Sequence, residues 1–267
     1  MTNDSPQKAI LVVFMVALVC SIMVSVAAIS LRPIQLAHKF LERAQHIVQL
    51  TGLAPVDAGT LSDKELLAIF VQLDARVVDI NGRNFTQELN PDTFDQKKAV
   101  NDPELGVAIP AEYDVARLGR RSRFATVYLV WEADQLQRII LPMHGQGMWS
   151  TIYGYLALEA DLTTIAAVTF FEQGETPGLG DQILRAGWQA QWQGRRVWDK
   201  QGVVRFRIAA GRVAPESAAA RHEVDALSGA SVTADGVTKL VHYWLGAHGF
   251  QPFLQHLREA APVNSKA

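Results

Sequence analysis

Cysteine is nearly absent from this 267-residue chain. Cys20 stands alone, so no intrachain disulfide can form and no thiolate-based zinc or iron–sulfur site can be built. The seven histidines show no metal-ligand spacing. No glycine-lysine phosphate loop, no H-E-x-x-H and no G-x-S-x-G elbow occurs, which removes the common signatures of nucleotide hydrolysis, zinc proteolysis and serine hydrolysis. An excess of one charge is also missing. The 25 basic and 27 acidic residues leave a net charge of -2, which gives no reason to expect nucleic acid, and no like-charge run forms a tail. The basic cluster "RLGRRSR" ending at Arg123 reads as a solvated face. No internal repeat is visible.

Charge is lacking altogether from Ala9 to Leu31, and here the absence is informative. After a short N-terminal tail (residues 1–8), this run as a helix would reach roughly 34 Å, slightly more than a ~30 Å bilayer core. "SVAAIS" imitates a signal-peptide cleavage site, but the apolar stretch before it exceeds the ~7–15 residues of a signal peptide. The reading is a retained transmembrane helix over residues 9–31. Lys8 precedes it, and Arg32, Lys39 and Arg43 follow. The positive-inside rule taken literally would keep the C-terminal side in the cytoplasm, although long domains are exported regardless of charge.

Residues 32–123 read as a membrane-proximal region. Leu36, Phe40, Leu41, Ala44, Ile47 and Val48 recur at helical spacing until Gly52. Ser62 and Glu65 form a capping-box pattern ahead of a second helix. "RVVDINGRNF" places Asn-Gly between two extended runs, a hairpin signal. From Phe124 to residue 260 the texture turns β-rich. "FATVYLVW", "QRIILPM", "STIYGYLALEA" and "TTIAAVTFF" predict strands. "DQILRAGWQAQW" predicts a helix with Leu184, Trp188 and Trp192 along one face, and "RRVWDKQGVVRFRI" a hairpin about Gly202. A last helix is expected from about Ala234 to Gly246, and residues 261–267 form a C-terminal tail. An antiparallel meander with interspersed helices argues an α+β domain behind the anchor.

Three small-residue loops carry the candidate chemistry. "LPMHGQGMWS" contains Gly145, Met148 and Trp149; "EQGETPGLGDQ" contains Thr176, Gly178, Leu179 and Gly180; "DALSGASVTADG" contains Ser228, Gly229, Ala230, Ser231 and Thr233. "GLGDQI" resembles a dinucleotide fingerprint, but Ile183 fills its third glycine position and no βαβ unit surrounds it. Glycines of such loops allow positive φ and close backbone approach, and their N–H groups can cradle phosphate. Each loop taken alone is also an ordinary turn. Among the hydroxyls, Ser228 is placed to bond the local backbone, and Thr233 to cap the following helix.

"LPMHGQGMWSTIYGYLALEAD", "EQGETPGLG", "WQAQWQGRRVWD", "DALSGASVTADGV" and "WLGAHGFQPFL" follow one another in this order. Together they resemble the C subunit of the bacterial sodium-translocating NADH:quinone reductases, over almost the whole chain. The resemblance implies an electron-carrying subunit with FMN joined by a phosphodiester to the last residue of an S-G-A-T motif. Here that motif reads Ser228-Gly229-Ala230-Ser231, so Ser231 fills the acceptor position with serine in place of threonine. A flavin transferase needs a hydroxyl oxygen to attack the phosphorus of FAD and release AMP, which serine supplies. Asp225 also matches the transferase's recognition pattern, and Thr233 is the alternative acceptor. The resemblance further implies the loop from Thr176 to Gly180 over the flavin, Gly145, Met148 and Trp149 as a second wall, other members of the complex as partners, and no catalytic or metal-binding residues. It places the domain on the periplasmic side of the inner membrane. The flavoprotein subunit of the related ferredoxin-linked complex shares the S-G-A-T logic, but the insert from Ser62 to Arg123 favours the sodium-pump subunit. A membrane-anchored scaffold without redox function is the alternative of another class.

Overall fold

The fold is that of a computed structural model, which describes residues 6–54, 61–260 and 264. Most of both terminal tails therefore lies outside the described residues. The chain divides into two compact units, Met1–Gln45 and His46–Ala267.

The first unit is one helix. It belongs to α1 (Pro6–Thr51), the one helix among the described residues long and apolar enough to cross a membrane, with a mean hydropathy of 2.9 in its most apolar window. From Ile10 to Leu36 its large aliphatic side chains point outward all round, with no polar face to present to water. The helix continues through Pro33, whose missing N–H leaves one carbonyl a turn earlier without its usual partner. It ends at Thr51, followed by Gly52 at φ 74°, the left-handed stop that glycine accepts without strain.

The second unit is built on a six-stranded antiparallel sheet. α2 (Asp63–Gln72) opens with the expected capping box between Ser62 and Glu65. β1 (Asp74–Asp79) and β2 (Asn84–Thr86) form the Asn-Gly hairpin, with Arg83 taking the left-handed conformation. α3 (Gln96–Ala99), β3 (Gly106–Ala108) and β4 (Arg120–Ser122) make a small peripheral layer. β5 (Phe124–Glu132), β6 (Gln135–Gln146), β7 (Thr151–Glu159) and β8 (Ile165–Glu172) are the four strands read from the sequence. The sheet order is β2-β1-β5-β6-β7-β8. β1 pairs with β5 along its whole length, so the boundary expected at Arg123/Phe124 runs through one sheet rather than between domains.

Both faces of this sheet are covered, which is why its strands read as nearly continuous apolar runs. Val127, Leu129, Ile139, Leu141, Leu156 and Leu158 face one core, while Tyr128, Val130, Ile140, Tyr155 and Ala157 face the other. Ile47 and Leu50, at the end of α1, pack in the second core.

After β8 the sequence reading needs correction. The segment expected as one helix is a 3-10 turn (Gly180–Leu184), a single turn α4 (Ala186–Gln189) and another 3-10 turn (Ala190–Trp192). Trp188 and Trp192 are buried against Phe170, and Trp192 also against Phe206, whereas Leu184 is exposed. Aromatic docking sets the path here, and the i, i+4, i+8 spacing did not mark a helix face. The expected hairpin about Gly202 reduces to a turn with one bridge, Trp198 to Val204. β9 (Arg207–Ile208) instead pairs in parallel with β10 (Glu223–Val224). α5 (Ser231–Trp244) lies on the first core face, and α6 (Gln251–Ala260) closes the unit. The basic cluster is dispersed: Arg121 is buried, donating to Tyr243 Oη, Asn81 Oδ1 and the Ser122 carbonyl, and Arg123 pairs with Asp79.

Candidate functional site

Three segments far apart in the chain meet at one end of the sheet. The first is the turn between β6 and β7, residues 147–150. The second follows β8, residues 173–180. The third is the link from Leu227 into the first turn of α5. Gly236, in the second turn of α5, lets the helix approach the start of the β6–β7 turn closely, since a Cβ there would come within 2.6 Å of the Gln146 carbonyl oxygen and 3.2 Å of Gly147 Cα.

Hydrogen bonds tie the segments together. Ser150 Oγ accepts from Gly174 N at 2.6 Å, and the Trp149 indole N–H donates to Thr176 Oγ1 at 3.1 Å. Gln182 Nε2 donates to the Leu179 carbonyl at 2.7 Å and the Ser228 carbonyl at 2.9 Å. Glu175, only 4% exposed, accepts from Met148 N and Trp149 N, each at 3.1 Å, and from Thr233 Oγ1 at 2.5 Å. The sequence reading did not single out Glu175. Its signal was an acidic residue in the middle of a glycine-rich loop, between Gly174 and Thr176.

Ser231 is the first residue of α5, and its side chain is exposed. Ala230 occupies the N-cap and makes no side-chain capping bond, so the first-turn N–H groups have no such acceptor. Ser231, Ser228 and Gly229 border an open cleft of about 1020 Å³, whose other walls include Gln182, Arg185, Trp188 and Arg212. Arg185 and Arg212 are exposed, and neither is in an ion pair among the described residues. The segments also carry an apolar surface. Trp149 is 66% exposed, and Met148, Leu179 and Val232 are exposed with it. Single exposed apolar side chains are ordinary, but four of them on segments bonded to one another offer apolar surface of the kind that binding sites use.

The other expected site residues fall into place unequally. Gly178 has φ 79° and open space where a Cβ would stand, so it serves the turn. Gly180 is a close-approach glycine, but a Cβ would meet Glu175 Cβ and Thr233 Oγ1, each at 2.7 Å. Gly229 has φ 72° and lies against Leu179. Gly145 lies within β6, where a Cβ would meet Leu240 of α5 at 2.9 Å; sheet-to-helix packing accounts for it. Thr233 is a correction. It sits two residues inside α5, 1% exposed, and bonds Glu175 instead of capping the helix. Asp225 uses its carboxylate on Val213 N, while the Trp188 indole donates to its carbonyl.

Behind the site, His144 on β6 stacks on Tyr153 with centroids 5.4 Å apart and tilts against Trp244 at 4.9 Å. Burial, aided by the charge of Lys97, pushes its pKa down to about 4. Burial, then the charge of Glu172, raises that of Tyr153.

Comparison with known proteins bears on this end of the sheet. The family model described as an FMN-binding domain matches residues 147–246, which span all three segments and α5. Over 258 residues the chain is 42% identical to a Pseudomonas aeruginosa protein named as the C subunit of the Na(+)-translocating NADH-quinone reductase, covering 96% of this chain and 98% of that one. A Vibrio alginolyticus protein of the same name is 41% identical, covering 96% and 97%. Among solved structures, Shewanella oneidensis NqrC superposes with a TM-score of 0.75 at 30% identity, covering 83% of this chain and 99% of that one.

Proposed function

The chain belongs to the C-subunit family of the Na(+)-translocating NADH-quinone reductases, and from that premise we propose that Ser231 is its covalent flavin anchor. The protein is an FMN-binding, electron-carrying subunit of that oxidoreductase, works with the other members of the complex, and has no complete activity alone. Its apolar α1 fits a single-pass membrane anchor.

The observation that carries the assignment is the exposed Ser231 hydroxyl on the uncapped first turn of α5, beside a cleft bordered by Arg185 and Arg212. The residues present fit FMN. A phosphodiester retains one negative charge, and a helix N-terminus favours an anion by about 0.3–1 kcal/mol where exposed. The two arginines add positive charge to the same cleft. Trp149, Met148, Leu179 and Val232 supply apolar surface for a planar ring system. When bound, FMN supplies the electron-accepting and electron-donating centre; this chain supplies its attachment, orientation and electrostatic surroundings.

Ser231 would act during maturation, its oxygen bonding to the phosphorus of FAD as the bond to AMP breaks. Access favours Ser231 over Thr233. A transferase can reach Ser231, while Thr233 is buried and engaged with Glu175. Gly229 and Ala230 keep bulk away from the approach. We place the whole domain on the periplasmic side of the inner membrane, where the transferase acts.

Intact-mass analysis of the chain extracted from flavinylation-competent membranes tests the anchor, followed by mapping of the tryptic peptide His222–Lys239. Ser231→Ala should lose the covalent flavin mass and Ser231→Thr should keep it. Flavin retained by Ser231→Ala, or mapped to Thr233, refutes the assignment.

A further inference from the structure

Glu175 is the most enclosed charged side chain at this end of the sheet. Both its oxygens act as acceptors, Oε1 from Trp149 N and Oε2 from Met148 N and Thr233 Oγ1, the pattern of a carboxylate. All three donors are neutral, and no ion pair involves Glu175 among the described residues. A buried carboxylate in this position is stabilised chiefly by those bonds, since no cation offsets its desolvation. The backbone has been cleared for it. A Cβ on Gly147 would lie 2.5 Å from Oε1, and one on Gly180 would lie 2.7 Å from the Glu175 Cβ. Two glycines of the glycine-rich loops therefore make room for a protein carboxylate.

We propose that Glu175 is the positioning residue of the flavin site: its carboxylate locks the Met148–Trp149 turn, its own loop and the first turn of α5 into one fixed arrangement. The inference rests on the reading of Ser231 as flavin anchor. The acceptor hydroxyl is on α5, two residues from Thr233. The exposed Trp149 ring is on the turn whose two amides Glu175 binds, and that ring is tied in turn to Thr176, the next residue after Glu175. Without the carboxylate, attachment at Ser231 could still occur, but the apolar wall and the anchor would no longer hold a set relation. A carboxylate charge at this position, with no cation paired to it among the described residues, also disfavours adding electrons nearby, so its removal should raise the potential of a flavin held there.

The test uses the full chain in two forms. In the flavin-free form, made in cells lacking the transferase, hydrogen exchange reports the anchor alone. Glu175→Ala should speed exchange of the Met148 and Trp149 amides roughly tenfold or more, the scale expected when a buried charge-assisted bond is lost. Glu175→Gln, which keeps one carbonyl acceptor, should fall between. In the flavin-loaded form, Glu175→Gln should keep the covalent mass, change the visible circular dichroism of the flavin and raise its midpoint potential. A general loss of stability alone would not produce that pair of spectroscopic and redox changes. Unchanged amide exchange in either folded variant, or wild-type dichroism and potential in loaded Glu175→Gln, overturns the proposal. If Glu175→Ala does not fold, Glu175→Gln carries both measurements. The exchange measurement is independent of where flavin is attached, so failure of the Ser231 assignment would be seen separately in the peptide mass.

Discussion

Replacing Thr233 with valine removes one hydroxyl from a fully enclosed position and leaves its shape nearly unchanged. Thr233 is 1% exposed and donates to a carboxylate whose residue is 4% exposed, at 2.5 Å. A hydrogen bond to a charged group contributes about 1.5–3 kcal/mol, and the upper part of that range applies because water cannot replace the lost donor. The same residue acting only as a helix cap would contribute about 1 kcal/mol. For a domain of this size, ~2 kcal/mol corresponds to roughly 4–8 °C in Tm. The assay is thermal unfolding of the full chain in detergent, followed by tryptophan fluorescence, for wild type, Thr233→Val and Thr233→Ser. Valine should lower Tm by that amount while the flavin stays on Ser231. Serine retains the hydroxyl and should lose much less. A Thr233→Val protein within about 0.5 kcal/mol of wild type would refute the tie between α5 and Glu175, since surface changes commonly fall in that range.

The two loop glycines should separate. Gly180→Val drives new carbon into Glu175 and Thr233 and should lower flavin incorporation or shift its potential, whereas Gly178→Ala should cost roughly 1 kcal/mol through its positive φ and leave the flavin unaffected; comparing flavin content with Tm distinguishes them, and equal flavin loss in both would contradict the assignment. Stability should fall with acidification because of His144. Its folded pKa of about 4 lies below the unfolded value near 6.5, so between those pH values the unfolded chain binds the extra proton and stability rises with pH. Urea unfolding should show a loss of about 2 kcal/mol from pH 7 to pH 5 attributable to this residue, absent in His144→Gln; equal acid loss in that variant would assign the effect elsewhere. A reporter fused after Ala267 should be active only as a periplasmic form, despite Arg32, Lys39 and Arg43 following the span. Activity solely as a cytoplasmic form would reverse the placement.

Some of this molecule is written in short stretches of sequence. The uncharged run from Ala9 to Leu31 specifies a helix apolar on all sides, which fits a membrane anchor because no rotation of it hides the apolar side chains on one face. Ser62 and Glu65 form their capping box, and Asn81-Gly82 turns its hairpin, because both depend on neighbours within a few residues. The four long strands were legible for the same reason, and the small residues and order of motifs around Ser231 are what suggested it as the proposed anchor. The rest required contacts that no local pattern announces. β1 pairs with β5 across the intervening β2, α3, β3 and β4, so the sheet crosses a boundary drawn from composition. Trp188 and Trp192 are spaced like one helical face, yet their burial against Phe170 and Phe206 bends the chain into short turns. Thr233 looked like a cap because it precedes an apolar run; Glu175, 58 residues earlier, makes it an anchor instead. A hydroxyl's role depends on which acceptor reaches it once water is excluded, and folding alone brings that acceptor there.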